Sequence, residues 1–259
     1  ETADILTPDH VRVILPDLSA GCSMADMADY EDVVDAWDEL HDLLGPDWRG
    51  RIIPITYVNS TAAVKAFVGE HGGACCTSTN AADIFDWARR GGTLPADPDE
   101  DIRILFLPDQ HLGRNTARGF GLLTELDARD TGRPAETAVY DPKRDRGGLD
   151  PETARHAGVF LWAGHCSVHK LFRPEHVHQL RADHADRGGI NILVHPECAQ
   201  EVVDLADLSG STEFIIRTIR TAEPGTNWAV GTEVHLVQRL AREAAARDVH
   251  VRMLSDCQC

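Results

Sequence analysis

The sequence predicts an α/β protein built on parallel sheets, and three observations carry that expectation. Short β-branched apolar runs alternate with helical patterns along all 259 residues, the rhythm of strands joined by crossover helices. Polar turns follow one strand after another. The chain also resembles itself: Ile55–Lys65 and Ile192–Val202 each read as a strand, a polar triplet and a helix with alanines at matching places.

Taken in order, strands are expected at Val11–Leu15, Ile52–Val58, Ala74–Thr77, Ile102–Leu107, Val159–Trp162, Ile190–Val194, Trp228–Val230 and His250–Leu254. Each is short, apolar and bounded by glycine, proline or polar residues, as a buried strand should be. Helices are expected near 25–44, 60–70, 80–89, 114–124, 174–186, 198–207, 212–221 and 232–247. Two stretches interrupt the rhythm. Gly91–Asp101 is dense in Gly, Pro and Asp, and Asp127–Arg155 is charged and rich in Pro and Gly, so both read as surface loops.

The self-comparison extends downstream. Cys76-Thr-Ser-Thr-Asn80 pairs with Ser209-Gly-Ser-Thr-Glu213, and Pro108-Asp-Gln-His111 with Gly231-Thr-Glu233. Each unit then reaches a cysteine loop. Val11–Cys22 reads as the tail of an earlier unit whose beginning is absent. In parallel α/β sheets, ligands bind beyond the carboxyl ends of the strands, and all these polar turns fall on that edge.

Cysteines recur at one address, just past a short apolar run in a small-residue loop. Cys22 follows Val13–Pro16, Cys166 follows Val159–Trp162, and Cys257 and Cys259 follow Val251–Leu254. Three thiolates at equivalent places suggest a metal centre with one ligand position left over. No compact Cys-x-x-Cys pair is present, which disfavours a zinc ribbon. Far-separated thiolates suit an iron–sulfur cluster in which one iron lacks a protein ligand and can act as a Lewis acid. For a single cysteine, the alternative is a small buried hydrophobe. That reading is preferred for Cys75 and Cys76, in an expected core strand, and for Cys198 at the start of a helix.

Composition narrows the function classes. The formal charge is −17, and lysine occurs only at Lys65, Lys143 and Lys170. Such a chain repels polyanions, which argues against nucleic acid as a partner. Pervasive Asp with scarce Lys is also the habit of proteins from high-salt cytosols. No apolar run approaches the roughly 18–20 residues that span a bilayer, and Glu1-Thr-Ala-Asp4 does not open a signal peptide. The expectation is a cytoplasmic protein without a membrane partner. Seven cysteines, an odd number in a mid-sized chain, argue against a disulfide framework. The chain begins without Met and stops on Cys259, and it reads as a portion of a longer protein.

Several residues at the strand ends carry titratable or polar chemistry. His195-Pro196-Glu197 places two titratable groups on a turn stiffened by proline, and a well-placed proton shuttle contributes roughly 10²–10⁴ in rate. Helix capping is the alternative role for Glu197. Tyr57 and Asn59 offer a phenol and an amide at the equivalent edge. Ser78 and Thr212 stand where helices begin, as N-caps or beside backbone N–H groups that bind anions. His111 or Arg114 could face an anion or form a surface pair, and His165 and His169 flank Cys166.

Together these segments resemble the quinolinate synthase A family. The matching runs are Tyr57–Lys65, Thr77–Ala81, Leu107–Arg114, Trp162–His169, Val194–Glu197, Gly210–Thr212 and Val230–Glu233, in family order across almost the whole chain. The resemblance implies three three-layer α/β/α domains related by pseudo-threefold symmetry around a central [4Fe–4S] cluster. On that frame, residues 1–21 end a first domain that is largely absent. Residues 22–165 form the second domain, with insertions near 91–101 and 127–155. Residues 166–256 form the third, and 257–259 start the return to the first.

The resemblance further implies condensation of iminosuccinate (iminoaspartate) with dihydroxyacetone phosphate to quinolinate for NAD biosynthesis. L-aspartate oxidase or aspartate dehydrogenase would be the upstream supplier. Cys22, Cys166 and Cys259 would hold the cluster, with Cys257 or a cysteine past the end as alternatives for the third ligand. Tyr57, Asn59, Ser78, His195, Glu197 and Thr212 would line the substrate pocket, with Tyr57, Glu197 and His195 as the catalytic set. Two family features are missing: first-domain His-Tyr and Ser segments that complete the pocket, and a short segment after the third cysteine. A competing class is a non-catalytic iron–sulfur or zinc protein that senses redox state or metal. The polar triplets argue against it, since a sensor needs no substrate pocket.

Overall fold

The computed structural model describes residues 2–17 and 20–255. The chain divides into two compact units, Glu1–Gly164 and His165–Cys259. The α/β expectation holds in both. Among the described residues, no helix is long and apolar enough to cross a membrane.

The first unit contains α1 (Thr2–Leu6), α2 (Tyr30–Leu44), β1 (Gly50–Tyr57), α3 (Ala62–Glu70), β2 (Ala74–Cys76), α4 (Ala81–Arg89) and β3 (Asp101–Leu107). It continues with α5 (Gln110–Gly119), α6 (Glu125–Thr131), β4 (Thr137–Tyr140), α7 (Pro151–His156) and β5 (Val159–Trp162). The strands lie in the order β2-β1-β3-β5-β4, and every pairing is parallel. Val33, Ala36, Leu40, Leu43 and Leu44 of α2 recur at helical spacing and form an apolar stripe. That stripe packs with Val64, Phe67 and Val68 of α3 and Ala154 of α7 over Leu105, Leu107, Phe160 and Trp162 of the sheet. On α5, a Cβ at Gly113 would stand 2.7 Å from Leu161 and 2.8 Å from Phe106. Glycine is what lets this helix lie so close to the strands.

The second unit contains α8 (Pro174–Asp183), β6 (Asn191–Val194), α9 (Gln200–Leu205), β7 (Leu208–Ser209), α10 (Thr212–Arg220), β8 (Asn227–Gly231), α11 (Val234–Ala245) and β9 (His250–Met253). Its parallel sheet runs β7-β6-β8-β9. Alternation along β6 sends Ile192 and Val194 to one face, against Val177, Leu180 and Val202. Leu193 goes to the other, against Ile215, Ile219, Val237 and Leu240. The result is a three-layer α/β/α sandwich.

Four expectations fail for identifiable reasons. Val11–Leu15 is not a strand; Ile14 is 76% exposed, and no described strand lies beside the run to complete its backbone hydrogen bonds. The stretch 127–155 is not a plain loop. A capping box between Thr124 and Asp127 starts α6, β4 pairs with β5 at the sheet edge, and Asp150 caps α7 with Pro151 in its first turn. α5 begins four residues earlier than expected, because the buried Asp109 carboxylate accepts the Leu112 N–H at 2.6 Å. Finally, the helix expected from residue 25 starts at Tyr30, where Asp29 caps it by accepting the Glu31 N–H at 2.9 Å.

Candidate active site

In the second unit the carboxyl ends of β6 and β8 lie side by side. The His195 N–H donates to Gly231 O at 3.1 Å, one step past the Val194–Gly231 register. The turn then closes, with Cys198 N–H donating to His195 O at 3.0 Å. This sets His195 and Glu197 on the strand-end edge, each only 3% exposed. Thr232, also 3% exposed, follows β8 on the neighbouring strand.

The fourth member is His169, from the short turn after Cys166, whose carbonyl accepts the Lys170 N–H at 3.1 Å. Its ring stacks on His195 with centroids 4.7 Å apart and planes at 24°. Nδ1 of His169 lies 2.7 Å from Oε2 of Glu197, without the alignment of a hydrogen bond. Nε2 faces Thr232 Oγ1 at 3.3 Å. The ligand atoms of Cys166, His169 and Glu197 all lie within 4.8 Å of one another. Cys166 is half-buried, whereas the other two are enclosed.

Electrostatics lower two of the imidazoles here. His195 is held down to about 4, chiefly because burial disfavours its cation; the Glu197 carboxylate opposes this and His169 adds to it. His195 is therefore neutral near pH 7. Its Nδ1 accepts the Glu197 N–H at 3.3 Å, which puts the ring proton on Nε2. His165, half-buried beside Lys170, is also lowered, first by desolvation and then by the ammonium.

In the first unit, the register pairs Tyr57 with Cys76 and so aligns the ends of β1 and β2. Tyr57 is buried, Asn59 is half-buried just beyond it, and Ser78 is half-exposed in the turn after β2. That turn is held by Asn80, whose side chain accepts from Thr77 N–H at 2.7 Å and from its hydroxyl at 3.0 Å. Cys22 is exposed. The segment after it is anchored at the carboxyl end of β5, where the Trp162 indole donates to Met27 O at 2.6 Å. There Gly164 leaves no room for a side chain, since a Cβ would meet Pro108 O at 2.3 Å.

Other expectations divide. Cys198 is buried, with its thiol directed at Gly231 O at 3.7 Å, and Cys76 is buried in β2, so packing describes both. Cys75 is the exception: strand alternation turns it outward, and it is exposed. Thr212 is exposed at the first position of α10, and Ser211 rather than Thr212 is the cap, accepting the Phe214 N–H at 3.3 Å. Arg114 is buried and committed to Glu125, with further contacts to Gln110 at 3.0 Å and His111 at 3.3 Å. It is a structural ion pair rather than a surface one. Cys257 and Cys259 lie outside the described residues.

Sequence reasoning underrated His169 and passed over Thr232. The three-residue step from Cys166 to His169 is the available signal, because it fits one turn of tight helix. Thr232 carries its own signal in the repeat of polar turns, where it stands between Gly231 and Glu233.

Fold and site together define a parallel-sheet α/β protein whose titratable and thiol groups gather at the carboxyl edges of its strands. Comparison with known proteins gives the particular family. The family model described as quinolinate synthetase A protein, NadA, matches residues 1–259, and the chain belongs to that family. It is similar to the quinolinate synthase of Bacillus velezensis, 50% identical over 260 residues covering all of this chain and 63% of that protein. It is 53% identical over 241 residues to that of Herpetosiphon aurantiacus, covering 93% of this chain and 58% of the relative. It is also 46% identical to that of Corynebacterium glutamicum, covering 94% of this chain and 55% of the relative. The chain thus spans between 55% and 63% of the length of these curated relatives.

Proposed function

We propose that the full-length protein is a quinolinate synthase that condenses iminosuccinate with dihydroxyacetone phosphate, releasing phosphate and water, in the cytoplasmic synthesis of NAD. The observation that carries this reading is the buried Glu197 carboxylate beside the stacked His169 and His195 rings and the Cys166 thiol, in a chain matched end to end by the family model. Iminosuccinate would come from L-aspartate oxidase or aspartate dehydrogenase. The domain division at 22–165 and 166–256, with residues 1–21 and 257–259 belonging to a first domain, is part of the same proposal.

Cys22, Cys166 and Cys259 are the proposed ligands of a [4Fe–4S] cluster. Support comes from donor chemistry: Cys22 is exposed and Cys166 half-buried, and neither is in a disulfide. A thiol with that access can reach a metal, whereas the buried Cys76, its pKa pushed up to about 12 by burial and then by Cys75, cannot readily do so. When bound, such a cluster supplies a Lewis-acidic iron that polarises a substrate oxygen or carboxylate.

The chain's own residues do the rest. Glu197, enclosed and beside two imidazoles, accepts a proton from the carbon acid and, once protonated, can give it to the hydroxyl that departs as water. His195 is neutral, and its Nε2–H donates to a substrate oxygen without adding positive charge. Tyr57, at the end of β1, is the second proton-handling group. Asn59, Ser78 and Thr212 bind the carboxylates and phosphate. Thr212 does so at the first turn of α10, whose N–H groups favour an anion. Burial of Glu197 and His195 makes the contacts of these two groups stronger than they are in bulk solvent.

The test is direct. The full-length protein, reconstituted anaerobically with iron and sulfide, should form quinolinate from the two substrates. A protein whose cluster absorption is restored but that makes no quinolinate under those conditions would favour the non-catalytic sensor class instead.

A further inference from the structure

The Cys166–His169–Glu197 group has the donor set of a mononuclear metal site, distinct in ligands and in nuclearity from a cluster held by three cysteines. Thiolate, imidazole and carboxylate together suit a borderline divalent cation. Two features single out this group. His169 is 7% exposed, and its Nδ1 takes no hydrogen bond even though a carboxylate oxygen stands 2.7 Å away. Its other ring nitrogen is held by Thr232 Oγ1 at 3.3 Å. Metal-bound imidazoles are held in this way, with the distal N–H donated to a fixed oxygen so that the proximal lone pair is aimed at the ion. His195 is excluded as the ligand, because its Nδ1 already accepts the Glu197 N–H at 3.3 Å.

We propose that Cys166 Sγ, His169 Nδ1 and a Glu197 carboxylate oxygen bind a single Zn²⁺ or Fe²⁺ when the cluster is absent, with Thr232 orienting His169. The three ligand atoms lie within 4.8 Å of one another. Tetrahedral coordination sets such atoms roughly 3.5 Å apart, which asks the half-buried Cys166 side chain to rotate inward and the Glu197 carboxylate to ease away from His169 Nδ1, now 2.7 Å from it. A fourth position remains for water. The ion uses the Cys166 thiolate, so ion and cluster exclude each other at that residue. A cation bound there retards cluster insertion.

The experiment uses the chain with Cys22, Cys257 and Cys259 all replaced by Ser, in which the three-cysteine cluster cannot form. Anaerobic titration with Co²⁺ is followed by visible and near-ultraviolet absorption. The expected result is saturation at one equivalent, with tetrahedral d–d bands and a single sulfur-to-cobalt charge-transfer band. In that background Cys166→Ser should remove the charge-transfer band. His169→Gln and Thr232→Val should each weaken binding by about 10–100-fold, with circular dichroism unchanged. Absence of saturable binding would overturn the proposal, as would binding that survives both Cys166→Ser and His169→Gln. Quinolinate formation is not read, so this result and that of the proposed reaction stand or fall separately.

Discussion

Nδ1 of His169 lies 2.7 Å from Oε2 of Glu197, with the two side chains 8% and 3% exposed. Neither group reaches much solvent, so each is part of the other's electrostatic environment. Stacking of His169 on His195 at 4.7 Å fixes the ring from one side, and Thr232 fixes it from the edge. The carboxylate is thereby held in one position at the end of β6. A group held this way loses little reorganisation energy when it accepts a proton.

Removing His169 should therefore destabilise the fold more than removing the half-buried His165. His169→Leu leaves buried polar groups at Glu197 and Thr232 with a lost contact, costing about 1–3 kcal/mol. His165→Leu, at a half-buried position beside Lys170, should cost less. Urea unfolding of the two variants measures the difference. Equal midpoints would show that the His169 contacts contribute nothing to stability.

Acid should weaken the protein through His195. The folded chain holds this imidazole near 4, below its ordinary 6.5, mainly by burial. The unfolded chain therefore binds a proton that the folded one refuses. Stability from this group is complete above about pH 6.5, falls as pH drops, and is fully lost once pH reaches about 4. The loss is on the order of a few kcal/mol. His195→Asn should flatten the pH dependence of the melting temperature between those limits, and an unchanged slope would remove His195 as its source.

The Arg114–Glu125 pair should behave as a buried ion pair. Burial works against ionisation of Glu125, but the Arg114 guanidinium and the Thr137 hydroxyl outweigh it and hold the carboxyl below its usual range. Arg114→Leu strands that carboxylate and should cost roughly 3 kcal/mol, somewhat less than a fully enclosed pair because Glu125 keeps partial solvent access. The double variant with Glu125→Leu should cost less than the sum of the two single variants. Additive losses in chemical denaturation would show that the two residues act independently.

The sequence and the structure agree where periodicity is strong. Ile104–Leu107 and Val159–Trp162 are buried on both faces, so their apolar runs are uninterrupted and easily read. The strand-end placement of His195 and Glu197 followed from the same signal. By contrast, β4 is an edge strand inside a charged stretch, and the pairing that makes it a strand comes from β5, where Thr137 pairs with Val159 and Tyr140 with Trp162. Val11–Leu15 shows the converse: apolar residues without a partner strand remain exposed. His169 was hard to weigh because its role depends on Glu197 and Thr232, which reach it through tertiary packing alone.

In the proposed condensation, Glu197 is the proton acceptor. The most direct measurement is quinolinate formation by the anaerobically reconstituted full-length protein carrying Glu197→Gln, with cluster content read from visible absorption in the same sample. The substitution keeps the shape of the side chain and removes its basicity. The expected result is a loss of roughly 10²–10⁴ in turnover with cluster absorption retained. Turnover close to that of the unaltered protein, at equal cluster content, would contradict the claim.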